Sequence, residues 1–127
     1  MEKSVVRTEN APAPFQGAPY NQAIRAGDFV FVAGQLGLKP GDSSVEGDIA
    51  TQTEQALRNL AAILEEAGSS LEKLVKTSVF LIDLGDFATM NEVYARHVGD
   101  RPPARSTFQV SKLPSGALVE IEAIAHI

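Results

Sequence analysis

From Leu118 to Ile127 the chain reads LVEIEAIAHI, an alternation that sends Val119, Ile121, Ala123 and Ala125 to one side of a strand and Glu120, Glu122 and Ile124 to the other. Such a strand must be paired and covered on its apolar face, and a carboxylate on its half-buried surface needs either a partner or a task. Upstream, RPPARSTFQV supplies a second strand pattern. Pro102 and Pro103 cannot donate to a central ladder, so the strand is predicted to begin at Ala104, with Arg105 at its mouth. The intervening SKLPSGA reads as a turn-like loop, which predicts that Arg105 and Glu120 lie close together on neighbouring strands. From the residues alone this pair is either a structural cross-strand ion pair, the commoner case, or the core of a site.

The rest of the chain reads as scaffold. Val5 to Arg7 is a weak strand pattern, and ENAPAPFQGAPY is an extended loop because its prolines interrupt regular structure. Ala23 to Arg25 and Phe29 to Ala33 flank Gly27-Asp28, a two-residue hairpin turn. Gly34, just past FVFVA, is either a strand-ending turn glycine or a place where the missing Cβ lets a ligand approach. Residues 36–47 read as a polar connection. Ile49, Thr53, Ala56, Leu57, Leu60, Ala61 and Leu64 then repeat at helical spacing, predicting a helix from about Asp48 to Ala67 with Asp48 as N-cap and Gly68 after its end.

Val75 to Ile82 is a strand with apolar residues on both faces at its far end, which predicts burial from two sides. A second helix, capped by Asp86 and ended by Gly99, carries Phe87, Met90, Tyr94, His97 and Val98 on one stripe. The order predicts an α+β fold, two helices packed on one face of a mixed sheet. The opposite face carries apolar positions with no third helix to cover them, so a second subunit is expected there.

With 127 residues and 44% hydrophobic content, the chain is expected to form a single domain, 1–127. The absence of cysteine removes thiol nucleophiles and cysteine metal sites, and two histidines leave little for a transition metal. Glu120, Glu122 and His126 share a strand face, but ligands at alternate positions spread over roughly 20 Å, so no metal is expected. No segment has the length of a membrane span or the pattern of a signal peptide, which gives a cytoplasmic protein as the expectation. A net charge of −5 without a basic run argues against nucleic acid as a partner.

Five stretches, TENAPAPFQGAPYNQAI, FVFVAGQ, VKTSVFLIDLGDFATMNEVY, RPPARSTFQV and VEIEAIA, resemble the RidA/YjgF family of small imine deaminases over nearly the whole chain. The resemblance implies a chorismate-mutase-like α+β fold, assembled as a homotrimer with active sites in the clefts between subunits. It implies that Arg105, in PARS, binds the substrate carboxylate and that Glu120 serves the attacking water, the two catalytic residues. Tyr20, Gly34, Asn91 and Thr107 match positions lining the same cleft. Thr107 stands where many relatives carry cysteine; the contact there is expected to use the backbone, and any thiol-dependent property is ruled out.

The implied activity is hydrolysis of 2-imino acids such as 2-iminopropanoate and 2-iminobutanoate to 2-keto acids and ammonia. Because the imine is already electrophilic, no cofactor is expected. Two other readings stand beside it: an endoribonuclease or translation inhibitor, and a noncatalytic trimer that binds small carboxylates.

Overall fold

The computed structural model describes every residue, 1–127. Six strands, β1 (Lys3–Val6), β2 (Ala23–Ala26), β3 (Phe29–Leu36), β4 (Leu74–Leu81), β5 (Ala104–Gln109) and β6 (Val119–His126), form one mixed sheet in the order β1-β2-β3-β6-β4-β5. Only β4 and β5 run parallel. Two helices, α1 (Ile49–Glu66) and α2 (Phe87–Val98), pack on one face, giving the predicted α+β layers. No helix is long and apolar enough to cross a membrane.

Local chemistry explains most element ends. Gly27 takes φ 59°, and it alone of the two turn residues has positive φ, which closes the β2–β3 hairpin as a II′ turn. The Asp48 carboxylate accepts from the Thr51 N–H at 2.9 Å, capping α1. At the other end Gly68 (φ 85°) lets the Ser69 N–H reach the Leu64 carbonyl at 2.8 Å and its own N–H reach Glu65 at 3.0 Å, a Schellman closure.

Asp86 does not cap α2. A turn of 3-10 helix, Leu84–Asp86, runs straight into α2, so the capping task moves upstream to Asp83, whose carboxylate accepts from the Gly85 N–H at 2.8 Å. On α2, Met90, Val93, Tyr94 and Val98 are buried, whereas His97 turns aside to bond Glu54 of α1 at 2.8 Å.

The inner sheet face is built from Val30, Val32, Val79, Leu81, Val119 and Ile121, all buried against Leu57, Leu60, Leu64 and Met90 of the helices. Full burial of each such side chain contributes roughly 1.5–3 kcal/mol, so this face holds the helices on the sheet. The β4 strand is buried from this side only. Its outer residue Phe80 is half-buried and stacks on Phe108 of β5, with ring centroids 6.3 Å apart.

The outer face is uncovered, with an apolar row at its β1–β3 side and polar residues such as Lys76, Ser78 and Glu122 further across. Strand register aligns Val5, Ile24, Phe31 and Ile124 in one row across it, and Phe29 and Phe31 are each 45% exposed.

Residues 36–47 are less of a polar loop than predicted. Leu36 belongs to β3, and Leu36, Leu38 and Ala117 form a second small core. The Asn59 amide of α1 donates to the Leu36 and Leu38 carbonyls at 3.1 and 2.8 Å, fastening this segment to the helix. Between them, Gly37 passes so close to α1 that a Cβ would fall 2.5 Å from the Gln52 Cα. Gly37→Ala should therefore destabilise the chain by about 1–3 kcal/mol, since backbone rather than a flexible side chain must give way. Chemical denaturation compared with the parent measures it; an unchanged midpoint would mean the segment can lift off α1 freely.

Candidate active site

Arg105 and Glu120 are not on neighbouring strands. The SKLPSGA segment is a crossover rather than a hairpin: β5 pairs with β4, and β6 lies on the far side of β4, between it and β3. The pair also occupies opposite faces. Arg105 ends the inner row Ala23–Val32–Ala123–Thr77–Arg105, whose other members are buried beneath the helices. Glu120 sits in the outer row Leu36–Glu120–Phe80–Phe108. Neither of the two ion pairs in the chain involves Arg105 or Glu120. The structural cross-strand ion pair is thereby excluded within one chain.

Around Glu120 lies a cleft of about 280 Å³ bordered by Phe15, Tyr20, Gly34, Leu36, Leu38 and Pro114. Three of the sequence-predicted residues, Tyr20, Gly34 and Glu120, thus meet. Burial pushes the Glu120 carboxyl above the usual carboxylate range, and the like charge of Glu122 on the same face adds to it. Gly34 is not a strand-ending glycine. It lies inside β3, where Val32 to Gln35 oppose only Ala123 to Ile121, so the strand bulges by one residue.

A Cβ on Gly34 would stand 2.7 Å from both Cδ and Oε2 of Glu120. Glycine therefore makes the room in which this carboxylate stands. Gly34→Ala is expected to leave the fold intact, because a side chain can swing aside, yet to lower turnover by about tenfold or more by displacing the carboxylate from its reaction geometry. Melting temperature and kcat measured on one preparation test this, and unchanged kcat would show that the Glu120 position is not critical.

The far wall of the cleft is held by a residue that sequence reading missed. The buried Gln22 amide accepts from the Thr8 N–H at 2.8 Å and donates to the Thr8 and Pro12 carbonyls at 3.0 and 2.9 Å. It replaces the ladder that the prolines of this loop deny it. A glutamine just ahead of the first hairpin strand was its only sequence signal. Tyr20 is tied into the same loop, its phenol oxygen accepting from the Phe15 N–H at 2.9 Å.

The remaining predicted residues form a second group at the β5 edge. The Arg105 guanidinium lies 4.8 Å from the Tyr94 ring centroid and 5.5 Å from that of Phe87. Asn91 falls between these rings on the same helical stripe, and its Oδ1 is buried without a hydrogen-bond partner. Thr107, two residues beyond Arg105, faces the same side and is half-buried. The Tyr94 hydroxyl bonds Thr77 Oγ1 at 2.6 Å. Burial raises the Tyr94 phenol above its ordinary range, with the Thr77 bond and the Arg105 charge opposing, so the ring stays neutral beside the cation.

One half therefore offers an unpaired cation beside aromatic walls; the other offers an unpaired, partly desolvated carboxylate over a partly apolar cleft. The first suits a planar carboxylate, which a guanidinium grips by two parallel bonds. The second suits a water that must lose a proton.

Comparisons place these features among known proteins. Residues 8–127 match the family model described as endoribonuclease L-PSP. The chain is 53% identical over 125 residues to the RutC family protein PH0854 of Pyrococcus horikoshii, covering 98% of each. It is 47% identical over 128 residues to Reactive Intermediate Deaminase A, chloroplastic, of Arabidopsis thaliana, covering all of this chain and 67% of that one. The crystal structure of E. coli TdcF with bound serine is similar at a TM-score of 0.90 and 38% identity, with 98% of each chain covered.

Proposed function

This chain belongs to the endoribonuclease L-PSP family, the RidA/YjgF family of its sequence resemblance, and on that premise we propose that it hydrolyses reactive 2-imino acids in sites shared between copies of the chain. The observation that carries this reading is the separation of Arg105 from Glu120: both are unpaired, and they stand on opposite faces with β4 between them. A site needing both takes Arg105 from one copy and Glu120 from another. The uncovered apolar row of the outer face, with Phe29 and Phe31, supplies a surface through which copies associate. A homotrimer with one site per interface fits these requirements and the family resemblance.

Arg105 holds the carboxylate of 2-iminopropanoate or 2-iminobutanoate, and this fixes C2 near Glu120 of the adjacent copy. Asn91, on the helical stripe between Phe87 and Tyr94, borders this end of the site. Glu120 takes a proton from water as the water oxygen bonds to C2 and the C=N π pair moves to nitrogen, and it passes that proton to the nitrogen to give a carbinolamine. Glu120 then takes the hydroxyl proton as C=O forms and C–N breaks, and hands it to the departing nitrogen, which leaves as ammonia. The raised carboxyl helps at both steps, because a base nearer neutrality both accepts and returns a proton more readily. Serine bound to E. coli TdcF supports a small carboxylate as the ligand class.

The test is keto-acid release from imine generated in place by a pyridoxal-phosphate dehydratase acting on serine or threonine, with RNA incubated in a parallel arm. Release faster than the uncatalysed rate with RNA left whole supports the deaminase. RNA cleavage without faster release overturns it in favour of the activity in the family's description. A solution mass of 13.5 kDa, rather than about three times that, would remove the shared site.

A further inference from the structure

We propose that Tyr94, locked by its hydrogen bond to Thr77, is a positioning residue that seats the Arg105 guanidinium and keeps its N–H edge free for a substrate carboxylate. The inference rests on the deaminase reading and goes beyond it by naming what holds its carboxylate-binding group.

Four observations converge on this seat. The guanidinium carbon is 4.8 Å from the Tyr94 ring centroid and 5.5 Å from that of Phe87, so two aromatic rings of α2 border it. Phe87 and Tyr94 are seven residues apart, two helical turns, and present their rings on one stripe. The Tyr94 ring is fixed rather than mobile: it is 5% exposed, and its hydroxyl meets Thr77 Oγ1 at 2.6 Å. Thr77 is itself 1% exposed and is the register partner of Arg105 across β4–β5, so the ring is anchored to the strand beside the residue it seats.

The physical consequence is specific. An arginine paired with a carboxylate spends its hydrogen-bonding edge on that partner, whereas one stacked on a ring spends only its π-face and leaves its in-plane donors available. Arg105 belongs to neither ion pair of the chain. Seating also removes rotamer freedom that a free arginine would lose on binding substrate. Grip on the carboxylate persists through the reaction, so loss of the seat should weaken binding more than turnover.

The test compares Tyr94→Met, Tyr94→Phe, Thr77→Val and Thr77→Ser in the full-length assembled protein, with assembly checked by sedimentation. Readouts are KM and kcat for imine hydrolysis and the Kd for 2-oxobutanoate by calorimetry, which needs no turnover. Tyr94→Met removes the ring, and KM and Kd should each rise roughly 3- to 30-fold, the span of a partly desolvated cation–π contact, with kcat changed less. Tyr94→Phe keeps the ring but loses its hold on Thr77, so it should fall between the parent and Tyr94→Met. Should Tyr94→Met not assemble, Thr77→Val decides: releasing the phenol should raise KM about threefold or more, with Thr77→Ser restoring it. Assembled Tyr94→Met with parental KM and Kd overturns the inference, as does parental KM in Thr77→Val when that variant decides. If the parent neither hydrolyses imine nor binds 2-oxobutanoate, the deaminase reading falls and this inference with it.

Discussion

Arg105→Ala is expected to lower kcat/KM for imine hydrolysis by roughly 30-fold to several thousand-fold, the cost of removing one member of a desolvated charge pair. The chain should still fold and assemble. Arg105 lies on the edge strand β5, makes no ion pair, and meets the inner side through the Tyr94 and Phe87 rings. Thr77 and Tyr94 keep their mutual bond when it is gone. Arg105→Lys retains the charge but lacks the planar face that stacks and the fork that holds two carboxylate oxygens. It should bind 2-keto acids more weakly than the parent and more tightly than Arg105→Ala. Steady-state kinetics beside product calorimetry separate grip from turnover; equal activity in the lysine variant and the parent would mean that only charge is used.

Glu120→Gln should reduce kcat by about 10² to 10⁴, the usual span for losing a general base, while 2-keto acids continue to bind. The same change should stabilise the protein near neutral pH. Burial, reinforced by Glu122, raises the Glu120 carboxyl in the folded chain, so the ionised form is disfavoured there relative to the unfolded chain. That cost is absent below the ordinary carboxylate range and grows as pH rises through it towards the raised folded value. The melting-temperature advantage of Glu120→Gln should therefore be present at neutral pH and fade on acidification. An advantage that instead grows in acid would assign Glu120 a stabilising partner and remove the desolvated base.

The sequence made local structure legible and long-range pairing much less so. Asp48, Gly68 and Gly27-Asp28 act within a few residues of their own position, and the cap, closure and turn they signal are all present. The alternation of β6 likewise reports its own two faces: Val119, Ile121, Ala123 and Ala125 are buried as read.

The adjacency of Arg105 and Glu120 depended on which strand pairs with which, and a turn-like segment looks the same whether it closes a hairpin or crosses a strand. Here β4 enters between β5 and β6 and separates the two residues, and the registers that align Arg105 with Thr77 and Glu120 with Phe80 put them on opposite faces. Gln22 and Asn59 escaped notice for a related reason, because each bonds carbonyls from distant or irregular segments that leave no periodic trace. Tyr94 was legible as a core position but not as the ring beneath Arg105, since stripe membership does not reveal what lies against it. Gly34 lines the Glu120 cleft, and its bulge inside β3 is a register feature visible only against β6.

The shared site is tested most directly by mixing two inactive variants. Arg105→Ala and Glu120→Gln are each unfolded, combined in equal amounts and refolded together, beside each variant refolded alone. An Arg105→Ala copy still carries Glu120, and a Glu120→Gln copy still carries Arg105. In a closed ring of three, every mixed assembly regains one intact site, so random assortment should restore about a quarter of parental imine hydrolysis. Activity that stays at the level of the separately refolded variants, in assemblies shown to be mixed by mass, would contradict a site built from two copies.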